Sequence, residues 1–314
     1  MQQTIYEDIS AQNVKLLHKT IGEILLKSEV SKEDQTVYLL AVDQINIYCQ
    51  EDEDDNDRAT TRKIAISSEE QSNFARINAI AAKYSITASR FEQARLYIDT
   101  GIKMLQDDRW EKSYSLTLEL YEMSAHVSCI HGDTVAMRST LDEITSNVKS
   151  FEDNLIASSL LAKLLASSFK YDEAMEHCLS VLSVLLGEDF ILSTVDTNLG
   201  VVLSELGAMH SMLENITVER VKQLPMMEDG RLKHAMSFLS MLIFFSIIAK
   251  PMLVPILSVR MVRLTIENGF CDDSIVGLVT AGYGLFSFTD EIELGYRIGR
   301  VGEFLINESK NRHA

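Results

Sequence analysis

The sequence predicts an all-α chain in which antiparallel helix pairs stack into an α-solenoid. Three observations predict it. Proline occurs only at Pro225, Pro251 and Pro255 in 314 residues, and since proline and glycine punctuate strands, turns and long loops, that scarcity favours long helices with short links. Apolar residues recur at three- and four-residue steps along almost the whole chain, and no segment alternates as a half-buried strand would. A unit of two helices joined by a short turn also returns at near-regular intervals.

The elements follow in order. Val14, Leu17, Ile21, Ile24 and Leu25 form the apolar stripe of a first helix over about 11–26. Ser31-Lys32-Glu33-Asp34 reads as the capped start of a second helix, which carries Val37, Leu40, Ala41, Ile45 and Tyr48. Residues 11–50 thus make an N-terminal pair. The run Glu51-Asp52-Glu53-Asp54-Asp55-Asn56-Asp57 then breaks the order, so 51–62 reads as an acidic disordered insertion, a solvated loop rather than a dock for a basic partner.

Three regular pairs occupy 67–186. Ser67-Ser68-Glu69-Glu70 caps a helix carrying Phe74, Ile77, Ala81 and Tyr84, and the turn Ala88-Ser89-Arg90 leads into its partner through Leu105. Ser113 to Ile130 turns at His131-Gly132-Asp133 into a helix with Met137, Leu141 and Ile144. Glu152 to Ser167 turns near Ser168-Phe169-Lys170 into Tyr171-Asp172-Glu173-Ala174. The turns at Ser89, Gly132 and Ser168 lie 43 and 36 residues apart, periods typical of helix-pair repeats. Phe91 and Tyr171 each precede a small residue, Ala94 or Ala174, by three positions. The aromatic fills the gap between paired helices, and the alanine lets their backbones approach.

From 187 to 314 the pairs diverge. Leu199–Leu213 is one more amphipathic helix, Leu224-Pro225-Met226-Met227-Glu228-Asp229 a connector, and 232–264 a strongly apolar block. Residues 274–286 and 291–306 form a last pair, with Gly295 where earlier pairs hold alanine. Ala235–Ala249 carries no charge over fifteen residues before Lys250-Pro251 interrupts it. A membrane span needs about 20 apolar residues, so this stretch reads as a buried helix hairpin. The whole, 1–314, is read as one helical-repeat array of tetratricopeptide-like kind.

The formal charge is −17, and the acidic run holds six of those negative charges, leaving −11 elsewhere. A surface of that sign repels phosphate backbones, so neither nucleic acid nor an anionic membrane is an expected partner. Cys49, Cys129, Cys178 and Cys271 stand 80, 49 and 93 residues apart with no CxxC pair, which reads as reduced thiols and a cytoplasmic location. No basic region followed by an apolar stretch opens the chain.

Motifs for chemistry are sparse, and no catalytic, cofactor-binding or metal-ligating residue is assigned. No GxxxxGK[ST], GxSxG or HExxH occurs, and the acidic run lacks the glycine and terminal glutamate of a calcium loop. Gly282-Tyr283-Gly284 and Gly295-Tyr296-Arg297-Ile298-Gly299 read as close helix crossings. His126, Cys129 and His131 are local to one another, and His177 or Cys178 of the next pair is a conceivable fourth ligand; a structural zinc takes four. Unliganded core and turn residues remain the preferred reading. No carboxylate stands in a sequence context that raises its pKa. Trp110 reads as a staple for the connector after Asp107-Asp108-Arg109 rather than a ligand platform.

Several segments, in order, resemble a known helical region. They are Leu17-His18-Lys19-Thr20-Ile21-Gly22-Glu23-Ile24-Leu25-Leu26, Tyr114–Glu122 with Gly132-Asp133, Leu224–Asp229, Lys250-Pro251-Met252-Leu253-Val254-Pro255-Ile256, Ala281–Leu285 and Gly295–Gly299. Together they are similar to the region that follows the STAND-type predicted ATPase in large multidomain signalling proteins. Those proteins carry a serine/threonine-kinase-like domain before the ATPase and GAF and histidine-kinase modules after it. The resemblance covers about 14–306 and departs at 51–57. It implies a non-catalytic regulatory scaffold coupling input to a nucleotide switch, with a protein or peptide, or the neighbouring ATPase and kinase domains of a larger chain, as partner. It transfers no site residue. A free-standing tetratricopeptide adaptor that binds a peptide or partner helix is the alternative, and an enzyme with a pocket inside the superhelix is a third reading resting on His126, Cys129 and His131.

Overall fold

A computed structural model describes residues 11–50, 66–188 and 198–313. The acidic insertion expected at 51–62 therefore lies outside the described residues. Among those described, sixteen α-helices and one 3₁₀ turn account for the regular structure, and one isolated bridge, between Met226 and Phe270, stands in place of any strand. The all-helical expectation holds. The chain divides into two compact units, Met1–Ala157 and Ser158–Ala314.

The first unit holds α1 (Ala11–Lys27), α2 (Glu29–Glu33), α3 (Gln35–Cys49), α4 (Ser68–Thr87), α5 (Phe91–Met104), α6 (Arg109–Lys112), α7 (Tyr114–His131) and α8 (Thr134–Asn147). The 3₁₀ turn Glu152–Asn154 follows, and α9 (Leu155–Ser167) begins there and continues into the second unit. Side-chain caps set the starts of α2, α3, α4 and α8. Ser67 Oγ accepts from Glu70 N while the Glu70 carboxylate accepts from Ser67 N, a complete capping box at α4. Asp133 caps α8 directly after Gly132 closes α7 in the left-handed region, φ 70°.

Two expectations for the first pair need correction. Ser31 does not start the second long helix. Its hydroxyl donates back to Leu26 O and Ser28 O inside the short α2, and Asp34, accepting from Thr36 N at 2.8 Å, caps α3. The aspartate wins because its carboxylate sits two residues before an amide that nothing else satisfies. The α1 stripe is also rotated. Leu17, Ile21 and Ile24 are exposed, while Gly22 is buried against α3, where a Cβ would fall 2.6 Å from Ile45 Cγ1. Glycine set the packed face, because only it permits that approach.

Phe74, Ile77, Ala94, Tyr97 and Ile98 join Val42 and Ile45 in the core of the first unit. Half-buried Phe91 packs on that cluster and Ala94 is fully buried, as the aromatic–alanine pattern requires. Asn46 and Asn78 exchange reciprocal amide hydrogen bonds of 2.8 and 2.9 Å between α3 and α4.

The second unit continues with α10 (Tyr171–Leu186), α11 (Leu199–Glu214), α12 (Val218–Lys222), α13 (Gly230–Ala249), α14 (Leu253–Asn268), α15 (Ser274–Phe288) and α16 (Ile292–His313). Ala174 is again fully buried, and half-buried Tyr171 places its ring 6.5 Å from Phe245. The apolar block is two helices, but α13 is longer than its uncharged stretch. Capped by Asp229, it runs 20 residues with mean hydropathy 1.7 over its most apolar window, and is long and apolar enough to cross a membrane by length and composition. More than half of that window, 56%, is buried inside the protein. The fifteen-residue count fell short because Gly230–His234 is polar yet helical. The connector is pinned by Met227 N donating to Phe270 O and Phe270 N to Pro225 O, 2.7 and 2.8 Å. Gly269 at φ 98° permits this, since a Cβ there would lie 2.6 Å from Pro225 O.

Candidate functional site

Polar and aromatic groups gather in a seam of the first unit, built from α6, α7, α8 and the segment 148–154. The short α6 positions Trp110 between α7 and α8. Its indole N–H donates to Glu143 Oε1 at 2.8 Å, and its ring lies 5.4 Å from Tyr121 and 6.1 Å from Tyr114. Trp110 therefore packs as the staple its sequence position suggested. Tyr114 O–H donates to Asp153 Oδ2 at 2.7 Å and accepts from Lys149 N at 2.9 Å, fixing 148–154 against the start of α7. Both tyrosines already carry cations of this chain: Lys149 Nζ lies 4.2 Å from the Tyr114 ring centroid and Arg109 5.9 Å from that of Tyr121.

Glu122, one turn along α7 from Glu119, is the group whose chemistry the sequence missed. Half-buried, its carboxyl is pushed up to about 7, first by burial and then by the neighbouring charges of Glu119 and Asp153. The expectation that no carboxylate has a raised pKa is corrected here. The signal available was the Glu119/Glu122 spacing on one helix face. What raises the pKa is first the burial of the carboxyl, then Glu119, and last Asp153, about thirty residues on, and only the folded chain supplies the burial and brings Asp153 near. Glu119 is itself paired with Lys83 of α4. A carboxyl half-protonated near neutrality both donates and accepts hydrogen bonds, so the seam changes charge close to neutral pH.

The metal candidates do not converge. Among the described residues no three or more His, Cys, Asp or Glu side chains form a group able to hold a metal ion. His131 Nε2 lies 3.3 Å from Glu92, His126 is exposed on α7, and Cys129 is half-buried. In the other unit His177 Nε2 meets Ser158 O at 3.1 Å, and Cys178 is buried beside it in sequence. Burial pushes the Cys178 thiol up to about 12 and Cys49 to about 11, the reverse of what a nucleophile needs. Gly282 and Gly295 mark a close crossing of α15 and α16, where a Cβ on Gly295 would fall 2.8 Å from Gly282 O.

Beside the seam, an open depression of about 480 Å³ is lined by Gln71, Lys103 to Leu105, Gln106, Asp107 and Asp108. It is shallow and polar, with no paired nucleophile and base among those residues. Comparison with known protein families, with curated proteins and with solved structures finds no match for this chain.

Proposed function

We propose that the chain is a non-catalytic helical-repeat scaffold whose antiparallel pairs stack in solenoid fashion, acting as a regulatory segment beside a nucleotide switch as its sequence resemblance implies. The observation that carries the scaffold reading is the order of side-chain links in the first unit. First helices are tied to first helices, by Lys19 to Glu70 (α1 to α4) and Lys83 to Glu119 (α4 to α7). Tyr114 to Asp153 continues that series into the turn opening α9. Second helices are tied to second helices, by Tyr97 donating to Asp43 and Arg95 pairing with Asp133 at the head of α8. Asn46–Asn78 (α3 to α4) and His131–Glu92 (α7 to α5) join second helices to the first helices of the next pair. Stacked pairs with a common register would produce this pattern, and such arrays present long surfaces for partners. The regulatory role rests on the resemblance alone.

Small-angle scattering at a dilution where the chain is monomeric tests the architecture. A compact chain of 314 residues would have a radius of gyration of about 20 Å; the proposal expects a clearly larger value, and the compact one would refute it. Phosphate release from Mg-ATP tests the absence of catalysis, with no turnover above a protein-free blank expected. Coding sequence for a Walker motif immediately upstream would favour the multidomain role, and a free-standing reading frame the adaptor.

A further inference from the structure

The last helix pair leaves one face uncovered. On α15, Val279, Tyr283 and Phe286 recur at four- and three-residue steps and are 40%, 65% and 60% exposed. On α16, Ile292, Tyr296 and Ile306 are 59%, 71% and 40% exposed. The two stripes adjoin, because Val279 Cγ2 lies where a Cβ on Gly302 would sit and Phe286 flanks Gly295 in the same way. Gly299 lies between those glycines on α16, and a Cβ there would meet nothing within 4 Å. The face is therefore apolar, ridged by rings and flat at its centre.

We propose that this face is the contact between two copies of the chain, packed about a two-fold axis near Gly299. The stripe is its own complement. With α16 antiparallel to α16 of the other copy, positions equidistant from 299 oppose each other. Ile292 then meets Ile306 across the open position at Gly299, and the Tyr296 ring falls toward Gly302, which is itself buried beneath Val279, so that the ring packs on that valine. The charged residues on the strip, Arg300 and Glu303, already pair with each other, so closing the face strands neither. The three rings alone leave on the order of 400 Å² in water. With Ile292, Ile306 and Val279 the face reaches roughly 650 Å², near the ~600 Å² per partner at the low end of specific interfaces. It also exceeds what a monomer of this kind ordinarily leaves exposed.

Sedimentation or multi-angle light scattering on the full chain from about 1 to 100 μM tests this. A dimer is expected, with Gly299→Arg weakening it at least tenfold while the far-UV spectrum is unchanged. If that variant fails to fold, Tyr283→Glu, at a surface ring, carries the same expectation. Ile24→Glu on α1 and Phe244→Glu on α13, at other exposed apolar positions, should leave the dimer intact. A monomer throughout the range overturns the proposal. So does a dimer unaffected by both Gly299→Arg and Tyr283→Glu, or one dissolved by Ile24→Glu or Phe244→Glu instead.

Discussion

Glu122 has a thermodynamic consequence at the scale of one residue. Its carboxyl titrates near 7 when folded against an ordinary 4.5, so the folded chain holds this proton more tightly than the unfolded one. Stability therefore falls as pH rises from about 4.5 to about 7, and the penalty is complete above that. Discounted for partial solvent access, the penalty is on the order of 1 kcal/mol. Glu122→Gln should accordingly stabilise the protein by about that much at pH 8 and leave it unchanged at pH 4.5, read from urea midpoints at both pH values. Equal effects at the two would remove the titration argument. Gly22 is the other single position with a sharp expectation. Gly22→Ala drives a methyl to 2.6 Å from Ile45 Cγ1 and 2.8 Å from Ala41 O, and overpacking of this kind costs about 1–3 kcal/mol. A midpoint equal to wild type would show that α1 and α3 separate freely.

Among the elements, α4 and the 225–270 connector show how ends are held. Ser67→Ala removes the hydroxyl half of the α4 capping box and should cost about 1 kcal/mol. Hydrogen exchange would report it as lost protection at the first turn of α4. Gly269→Ala should cost more, about 2–3 kcal/mol, since it combines a left-handed φ with a contact on Pro225 O. The element starts were legible where a side chain and its target lie within four residues, as at Ser67–Glu70 and Asp133–Ala136. They were misread where two local signals compete. Ser31 and Asp34 both resemble caps, and the hydroxyl is drawn back to Leu26 and Ser28 by the short α2, which no periodicity announces.

For the whole molecule, charge is the property with a direct readout. A net −17 and an isoelectric point near 4.8 oppose unspecific aggregation at neutral pH and favour it where the charge vanishes. Turbidity should peak close to pH 4.8 and fall on either side; a flat profile would mean that the uncovered faces are not accessible to one another. The same charge does not forbid the proposed pairing of α16, because the strip itself is nearly neutral and salt screens the remainder.

Helix content, the positions of the turns and the burial of Ala94 and Ala174 follow from local rules: 3.6-residue periodicity, scarce proline and small residues at crossings. A single sequence carries these because each depends on neighbours a few positions away. The outward turn of Leu17, Ile21 and Ile24, the raised carboxyl of Glu122 and the uncovered face of α15 and α16 were decided by tertiary structure. Each turns on which surface meets which, a choice among faces nearly equal in hydrophobicity. It is settled by a glycine that permits close approach or by the burial of a carboxyl among neighbours that only the fold assembles.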